Sequence, residues 1–106
     1  GVRNADKKFS AVAKLAACSL IQNKAQEILG AEPVLVRAIF FDKKPQKNWL
    51  VTWHQDKTIA VDRKIDIAGW GPLTLHSSNK ALKPAHRRVV HLEFCNYPLP
   101  SGLQWA

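Results

Sequence analysis

Two side chains suited to metal binding stand two residues apart near the middle of the chain. His54 and Asp56 form an H-x-D pair at the end of a strand-like run, and residues i and i+2 of a strand point to the same side. The imidazole and the carboxylate can therefore converge on one ion. One more histidine would complete a facial triad, which leaves three coordination positions open in non-haem Fe(II) oxygenases. His76 is the natural third ligand, and His86 and His91 are its competitors.

The same residues also have an ordinary structural interpretation. Chance often supplies a motif as short as H-x-D, and a histidine beside two tryptophans is more often a packed, hydrogen-bonded core residue, so the pattern alone favours a structural role for His54. The Arg87-Arg88 pair also has two interpretations. It fits the solvated start of a strand, and it also fits a guanidinium that grips a carboxylate bidentately.

The elements that must position these residues begin with helices. Residues 9–29 have helical periodicity, which predicts a first helix ending near Ala17 and a second that starts at a capping box of Ser19 and Gln22. Gly30 supplies the stop signal. The second helix is expected to bury one stripe at three- and four-residue steps, made of Cys18, Ile21, Ala25, Ile28 and Leu29.

Short strands are predicted after the helices, because β-branched and aromatic residues become frequent after Pro33. The predicted strands cover residues 34–41, 49–53, 58–61, 73–75 and 87–94, and residues 76–86 form a polar stretch before the last of them. No helices separate the strands, so a parallel α/β fold is disfavoured. The fold class expected is therefore mainly β with N-terminal helices, in one domain over residues 1–106.

Composition excludes several classes of protein. The chain has 106 residues, a net charge of +8 and 46% hydrophobic residues, which fits one small globular domain and argues against disorder or a large enzyme scaffold. No apolar run is long enough for a membrane span, and two distant cysteines do not form a disulfide framework. A soluble, cytoplasmic protein with both thiols reduced is expected. The cations are scattered along the sequence, which favours solvated lysines and disfavours nucleic acid as a partner.

Several segments resemble one enzyme family when they are taken together. Residues 36–43 (VRAIFFDK), 48–61 (NWLVTWHQDKTIAV) and 69–72 (GWGP) resemble the first half of a protein of the phytanoyl-CoA dioxygenase family. Residues 75–79 (LHSSN) and 86–94 (HRRVVHLEF) resemble its last part. Two separate motifs in the right order are far more specific than H-x-D alone, and the resemblance covers nearly the whole chain.

This resemblance implies a double-stranded β-helix, a cupin-like jelly roll, that uses Fe(II), 2-oxoglutarate and O₂. The implied reaction is hydroxylation of an unknown small organic substrate, with decarboxylation of 2-oxoglutarate to succinate. By position, the implied metal ligands are His54, Asp56 and His76. The implied 2-oxoglutarate contacts are Arg87, which would hold the distal carboxylate, with Ser78 and Trp70.

The chain is shorter than this family requires. Only 19 residues separate Asp56 from His76, whereas the family places several strands between the two motifs. An eight-stranded jelly roll needs roughly 45 strand residues before any turn is counted, and residues 34–94 number 61 in all. We therefore expect a helical segment over residues 1–30 and a partial jelly roll over residues 34–106, with an internal deletion near residues 72 and 73.

Three interpretations of function remain at the level of sequence. The first is a shortened Fe(II)/2-oxoglutarate-dependent dioxygenase, and the second is a catalytically inactive remnant of that family, arising from a natural deletion or a partial gene model. The third, weaker interpretation is a basic polyanion-binding module. Unpaired strand edges would favour self-association. Trp49, Trp53 and Phe40 are suited to line an apolar substrate site, although aromatic residues at strand spacing are more often core.

Overall fold

The computed structural model describes residues 1–55, 61–64, 75–83, 85–96 and 99–106. In these residues the chain is a mixture of helices and antiparallel sheet, with the helices first. The helices are α1 (Ala5–Lys8), α2 (Ser10–Ala17), α3 (Ser19–Leu29) and a final 3₁₀ turn (Pro100–Gly102). The strands are β1 (Val2–Arg3), β2 (Val34–Lys43), β3 (Val51–His54), β4 (His76–Ser78) and β5 (Arg87–Cys95). None of the described helices is long and apolar enough to cross a membrane.

The helical region is divided by two residues with extended backbone, Phe9 and Cys18. The predicted end at Ala17 and stop at Gly30 are both confirmed, and Gly30 adopts φ 71°, the left-handed conformation that glycine accepts most easily. The predicted capping box is wrong. Cys18 occupies the N-cap position without a side-chain cap, and Gln22 donates its side-chain N–H to the carbonyl of Ala16 at 2.7 Å.

The predicted buried stripe on α3 is wrong in part. No residue of α3 is fully buried, and Ile28 is 76% exposed. The other members of the stripe, Cys18, Ile21, Ala25 and Leu29, are half-buried. The buried helical side chains belong instead to α1 and α2, because these two helices contribute Ala5, Val12 and Ala16 to the interior.

Two antiparallel sheets are present in the described residues. The first has the order β1-β2-β5, and its long β2–β5 ladder runs from Val34 opposite Cys95 to Lys43 opposite Arg87. A register shift lies between Leu35 and Arg37. The second sheet is the β3–β4 ribbon. All strand pairs among the described residues are antiparallel, which agrees with the exclusion of a parallel α/β fold.

Three of the five predicted strands are confirmed. Those over residues 34–41, 49–53 and 87–94 correspond to β2, β3 and β5. The one over residues 58–61 lies outside the described residues except Val61, which forms an isolated bridge with Trp105. For residues 73–75, only Leu75 is described, and it lies just before a strand. The polar stretch over residues 76–86 begins with a strand that was not predicted, because β4 occupies His76–Ser78.

The core lies between the first sheet and the N-terminal helices. Ala5, Val12 and Ala38 form its buried centre, and Phe40, Val90 and Leu92 pack against it. Ala5 and Ala38 are both fully inaccessible. Small side chains at the contact let α1 approach β2 closely. Cys18 and Cys95 remain thiols, as predicted.

Candidate metal-binding site

The β3–β4 ribbon brings two of the predicted metal ligands into contact. His54 ends β3, His76 begins β4, and the two residues are register partners in the antiparallel pair. Their ring centroids lie 4.2 Å apart with the rings tilted by 57°. Because directly opposite residues of an antiparallel pair have Cβ atoms only about 5 Å apart, the pairing itself holds the two imidazoles together.

A backbone hydrogen bond sets the tautomer of His54. The Nδ1–H group of His54 donates to the carbonyl oxygen of Thr52 at 2.8 Å. In a neutral imidazole the lone pair is then on Nε2. Metal-binding histidines are commonly oriented in this way, by donating one ring N–H to a backbone carbonyl or carboxylate. The hydrogen bond therefore prepares Nε2 of His54 for coordination.

The spacing of the two rings fits coordination of one ion by both. A metal–nitrogen bond of about 2.1 Å places each ring centroid about 3.2 Å from the ion, so two imidazoles at a right angle have centroids about 4.5 Å apart. The observed separation is 4.2 Å. Within the described residues no group of three His, Cys, Asp or Glu side chains is assembled, and the third predicted ligand, Asp56, lies outside those residues.

Arg87 lies at the start of β5 and presents an unsatisfied donor. It is half-buried, and its Nη2–H donates weakly to Oδ1 of Asn48 at 3.4 Å. Its Nε–H is buried and has no hydrogen-bond partner within the described part of the chain. A buried N–H without a partner is costly. A carboxylate that accepted from Nε and one terminal nitrogen would remove this cost, as in bidentate Arg–carboxylate pairs.

Asn48 connects Arg87 to the ribbon, a role that the sequence does not reveal. Its side-chain amide donates to the carbonyl of Ala81 at 2.9 Å and accepts from the N–H of Ala81 at 2.9 Å. The two residues lie three positions beyond the Val51–Ser78 pair, so the amide continues the ribbon as a backbone pair would. Arg87 is thereby tied to the chain entering β3 and the chain leaving β4.

The other two predicted 2-oxoglutarate contacts are Ser78 and Trp70. Ser78 is exposed and pairs with Val51 at the opposite end of the ribbon from His76. Trp70 lies outside the described residues. The structure thus places His54 and His76 together, and it places Arg87 beside Asn48.

The competing histidines are engaged elsewhere. His91 is on β5 with its Nε2 3.6 Å from a carboxylate oxygen of Glu93, and His86 forms a hydrogen bond with the carboxylate of Asp42. That hydrogen bond lowers the pKa of Asp42 below 3.8, helped by the nearby charge of Arg88. Both residues therefore face carboxylates of the first sheet.

The tryptophans near the ribbon are not core residues. Trp53 is 70% exposed and Trp49 is 44% exposed, so the interpretation that they are buried is wrong. Phe40 alone of the three predicted aromatic residues packs against the core, with its ring 6.0 Å from that of Phe9. Leu75, immediately before His76, is also 59% exposed. The residues that directly precede His54 and His76 in sequence are therefore both apolar and exposed.

Comparison of the chain with family models, with curated proteins and with solved structures finds no match in any of the three.

Proposed function

We propose that this chain is a shortened member of the phytanoyl-CoA dioxygenase family and that it binds Fe(II) through His54, Asp56 and His76. The observation that carries the proposal is the contact between two histidines that are 22 residues apart in sequence. The resemblance implies this pair as ligands, and not His86 or His91. In this proposal the two antiparallel sheets are the remaining parts of an incomplete jelly roll.

Asp56 supplies the carboxylate in the proposed triad, since it follows His54 by two residues. Two imidazoles and one carboxylate form the donor set that suits ferrous iron with open coordination positions. Bound there, the iron would supply O₂ activation coupled to decarboxylation of 2-oxoglutarate, with hydroxylation of a small organic substrate. The Thr52 carbonyl keeps the Nδ1 proton on His54, so Nε2 is the coordinating atom.

Arg87 binds and orients the co-substrate in this proposal. Its Nε–H, which has no partner among the described residues, supports this role, because the distal carboxylate of 2-oxoglutarate can accept from Nε and a terminal nitrogen together. Asn48 limits the freedom of the guanidinium. Ser78 and Trp70 complete the co-substrate site in this proposal.

An anaerobic titration with Fe(II) followed by 2-oxoglutarate tests this proposal. Chelated co-substrate gives a weak visible charge-transfer band, which we expect in the wild-type chain and not in His76→Ala or Arg87→Ala. His91→Ala and Arg88→Ala are matched controls, because each removes the same side chain from an exposed position of β5. Both controls should keep the band.

A folded wild-type chain without the band, retaining no more Fe(II) in equilibrium dialysis than His54→Ala, would contradict the proposal. The chain would then be an inactive remnant of the family. Loss of the band in His91→Ala to the same extent as in His76→Ala would also contradict it, because the ligand assignment would be wrong.

A further inference from the structure

Three segments that are distant in sequence meet at Asn48. The turn over residues 44–47, closed by a hydrogen bond from Lys47 N to Lys44 O at 2.8 Å, leads directly into Asn48. The side chain of Asn48 holds Ala81 by two hydrogen bonds and accepts a third from Arg87. Lys43, at the end of β2, is the register partner of Arg87. Residues 43–48 and 80–83 therefore form one surface around Asn48.

This surface concentrates positive charge. We define the basic cluster as five lysines that immediately flank the Asn48 contacts: Lys43, Lys44, Lys47, Lys80 and Lys83. All except Lys43 are exposed. These segments contain no acidic residue, and Asp42, next to Lys43 on β2, points to the opposite face, where its carboxylate accepts from His86 and lies 3.7 Å from Nε of Arg88. The cluster thus keeps a net charge of about +5 on a small area, and such a concentration attracts polyanions.

An aromatic ring lies within the basic cluster. The Nζ of Lys43 is 4.6 Å from the centroid of the Trp49 ring, a cation–π distance. Trp49 is 44% exposed. An exposed indole surrounded by cations is the combination by which proteins bind single-stranded nucleic acid, because the cations contact phosphates while the ring stacks on an unpaired base. A lipid surface or a duplex would use the charge without needing a stacking ring.

We propose that the basic cluster binds the phosphodiester backbone of single-stranded nucleic acid and that Trp49 stacks on one base. This function is separate from the proposed metal site, and it does not depend on that site. The scattered cations of the sequence become a binding surface only through the Asn48 contacts.

The test measures the affinity for a fluorescent single-stranded oligonucleotide by anisotropy between about 50 and 200 mM salt. Over this range the affinity that phosphate contacts supply falls steeply as salt is added. Each lysine–phosphate contact contributes about 0.7 to the slope of log affinity against log salt. The triple variant Lys47→Gln, Lys80→Gln, Lys83→Gln should therefore lose about 2 from the slope. A control with Lys7, Lys8 and Lys14 changed to Gln has the same net charge, and its slope should equal that of the wild type.

Substitution of Trp49 tests the stacking contact. Trp49→Ala should weaken binding about tenfold, the effect expected for one stacked base, and Trp49→Phe should restore most of the affinity because it keeps an aromatic face. Thermal unfolding of each variant checks that the fold is kept.

Equal loss of slope in the two triple variants would overturn the proposal, because binding would then depend on total charge. It would also be overturned if a duplex of the same length bound as tightly as the single strand, or if Trp49→Ala had no effect, since the ring would then have no role. A wild-type chain that does not bind at 50 mM salt would overturn it directly.

Discussion

Replacing Ala38 by leucine tests the close contact between the helices and the first sheet. Ala38 is fully inaccessible and forms the buried centre of the core with Ala5 and Val12, and Leu92 lies opposite it on β5. Leucine adds three carbon atoms. If the site had room for them, burial at about 0.8 kcal/mol per carbon would stabilise the protein by about 2.4 kcal/mol. If α1 packs as closely as the two inaccessible alanines indicate, overpacking should destabilise it by about 1–3 kcal/mol. The two alternatives therefore differ in sign.

Urea unfolding followed by circular dichroism measures this difference directly. We expect the midpoint of Ala38→Leu to fall and its thermal unfolding temperature to drop by about 10 °C, since each kcal/mol shifts a domain of this size by about 4–8 °C. Ala13→Leu is the matched control, because Ala13 is an exposed residue of α2 and its substitution should change the free energy of unfolding by less than about 0.5 kcal/mol. An Ala38→Leu protein as stable as wild type, or more stable, would refute the packing argument.

The remaining predictions concern the end of a helix, an ion pair and a carboxylate. Gly30→Ala should destabilise the chain by about 1 kcal/mol in urea unfolding. Gly30 has φ 71° and open space around it, so the cost comes from the backbone conformation alone, and Gly30→Asn should cost less. Arg37 donates from two nitrogens to Glu93 in a half-buried pair. A double-mutant cycle with Arg37→Ala and Glu93→Ala should give a coupling free energy of about 1 kcal/mol, and a value near zero would contradict this. The pKa of Asp42 is lowered mainly by the hydrogen bond from His86. The carboxylate therefore stabilises the folded state above pH 3.8, and this contribution is lost as the pH falls through the lower pKa of the folded state. His86→Ala should raise the pKa of Asp42 toward 3.8 in an NMR titration, and an unchanged pKa would show that the hydrogen bond is not the cause.

Local signals predicted the elements well where each depends on a few neighbouring residues. The helix end at Ala17, the stop at Gly30 and the strands β2 and β5 follow from periodicity, β-branched residues and a glycine that accepts positive φ. The stripe on α3 failed because periodicity shows which face is apolar and does not show whether another element covers it. Ile28 lies on that apolar face and remains 76% exposed.

The candidate site was predictable in its residues and not in its connections. The H-x-D motif and the resemblance selected His54 and His76, which do meet, but β4 itself was missed because the segment HSS has no strand-forming residues. The role of Asn48 depends on hydrogen bonds to Ala81 and Arg87, residues 33 and 39 positions away. No local pattern contains such contacts, since they arise only when distant segments have folded together.

The β2–β5 ladder has a consequence for the time at which the protein can fold during its synthesis. The nearest paired residues, Lys43 and Arg87, have 43 residues between them. Closing a loop of that length costs about 2 kcal/mol more than closing a four-residue hairpin, because each doubling adds about 0.6 kcal/mol. At ribosomal rates of about 5–20 residues per second, β2 waits roughly 3–10 seconds after it is made before all of β5 exists. Throughout that interval one edge of an apolar strand has no partner, and a chaperone that binds nascent chains would find its target in residues 34–43.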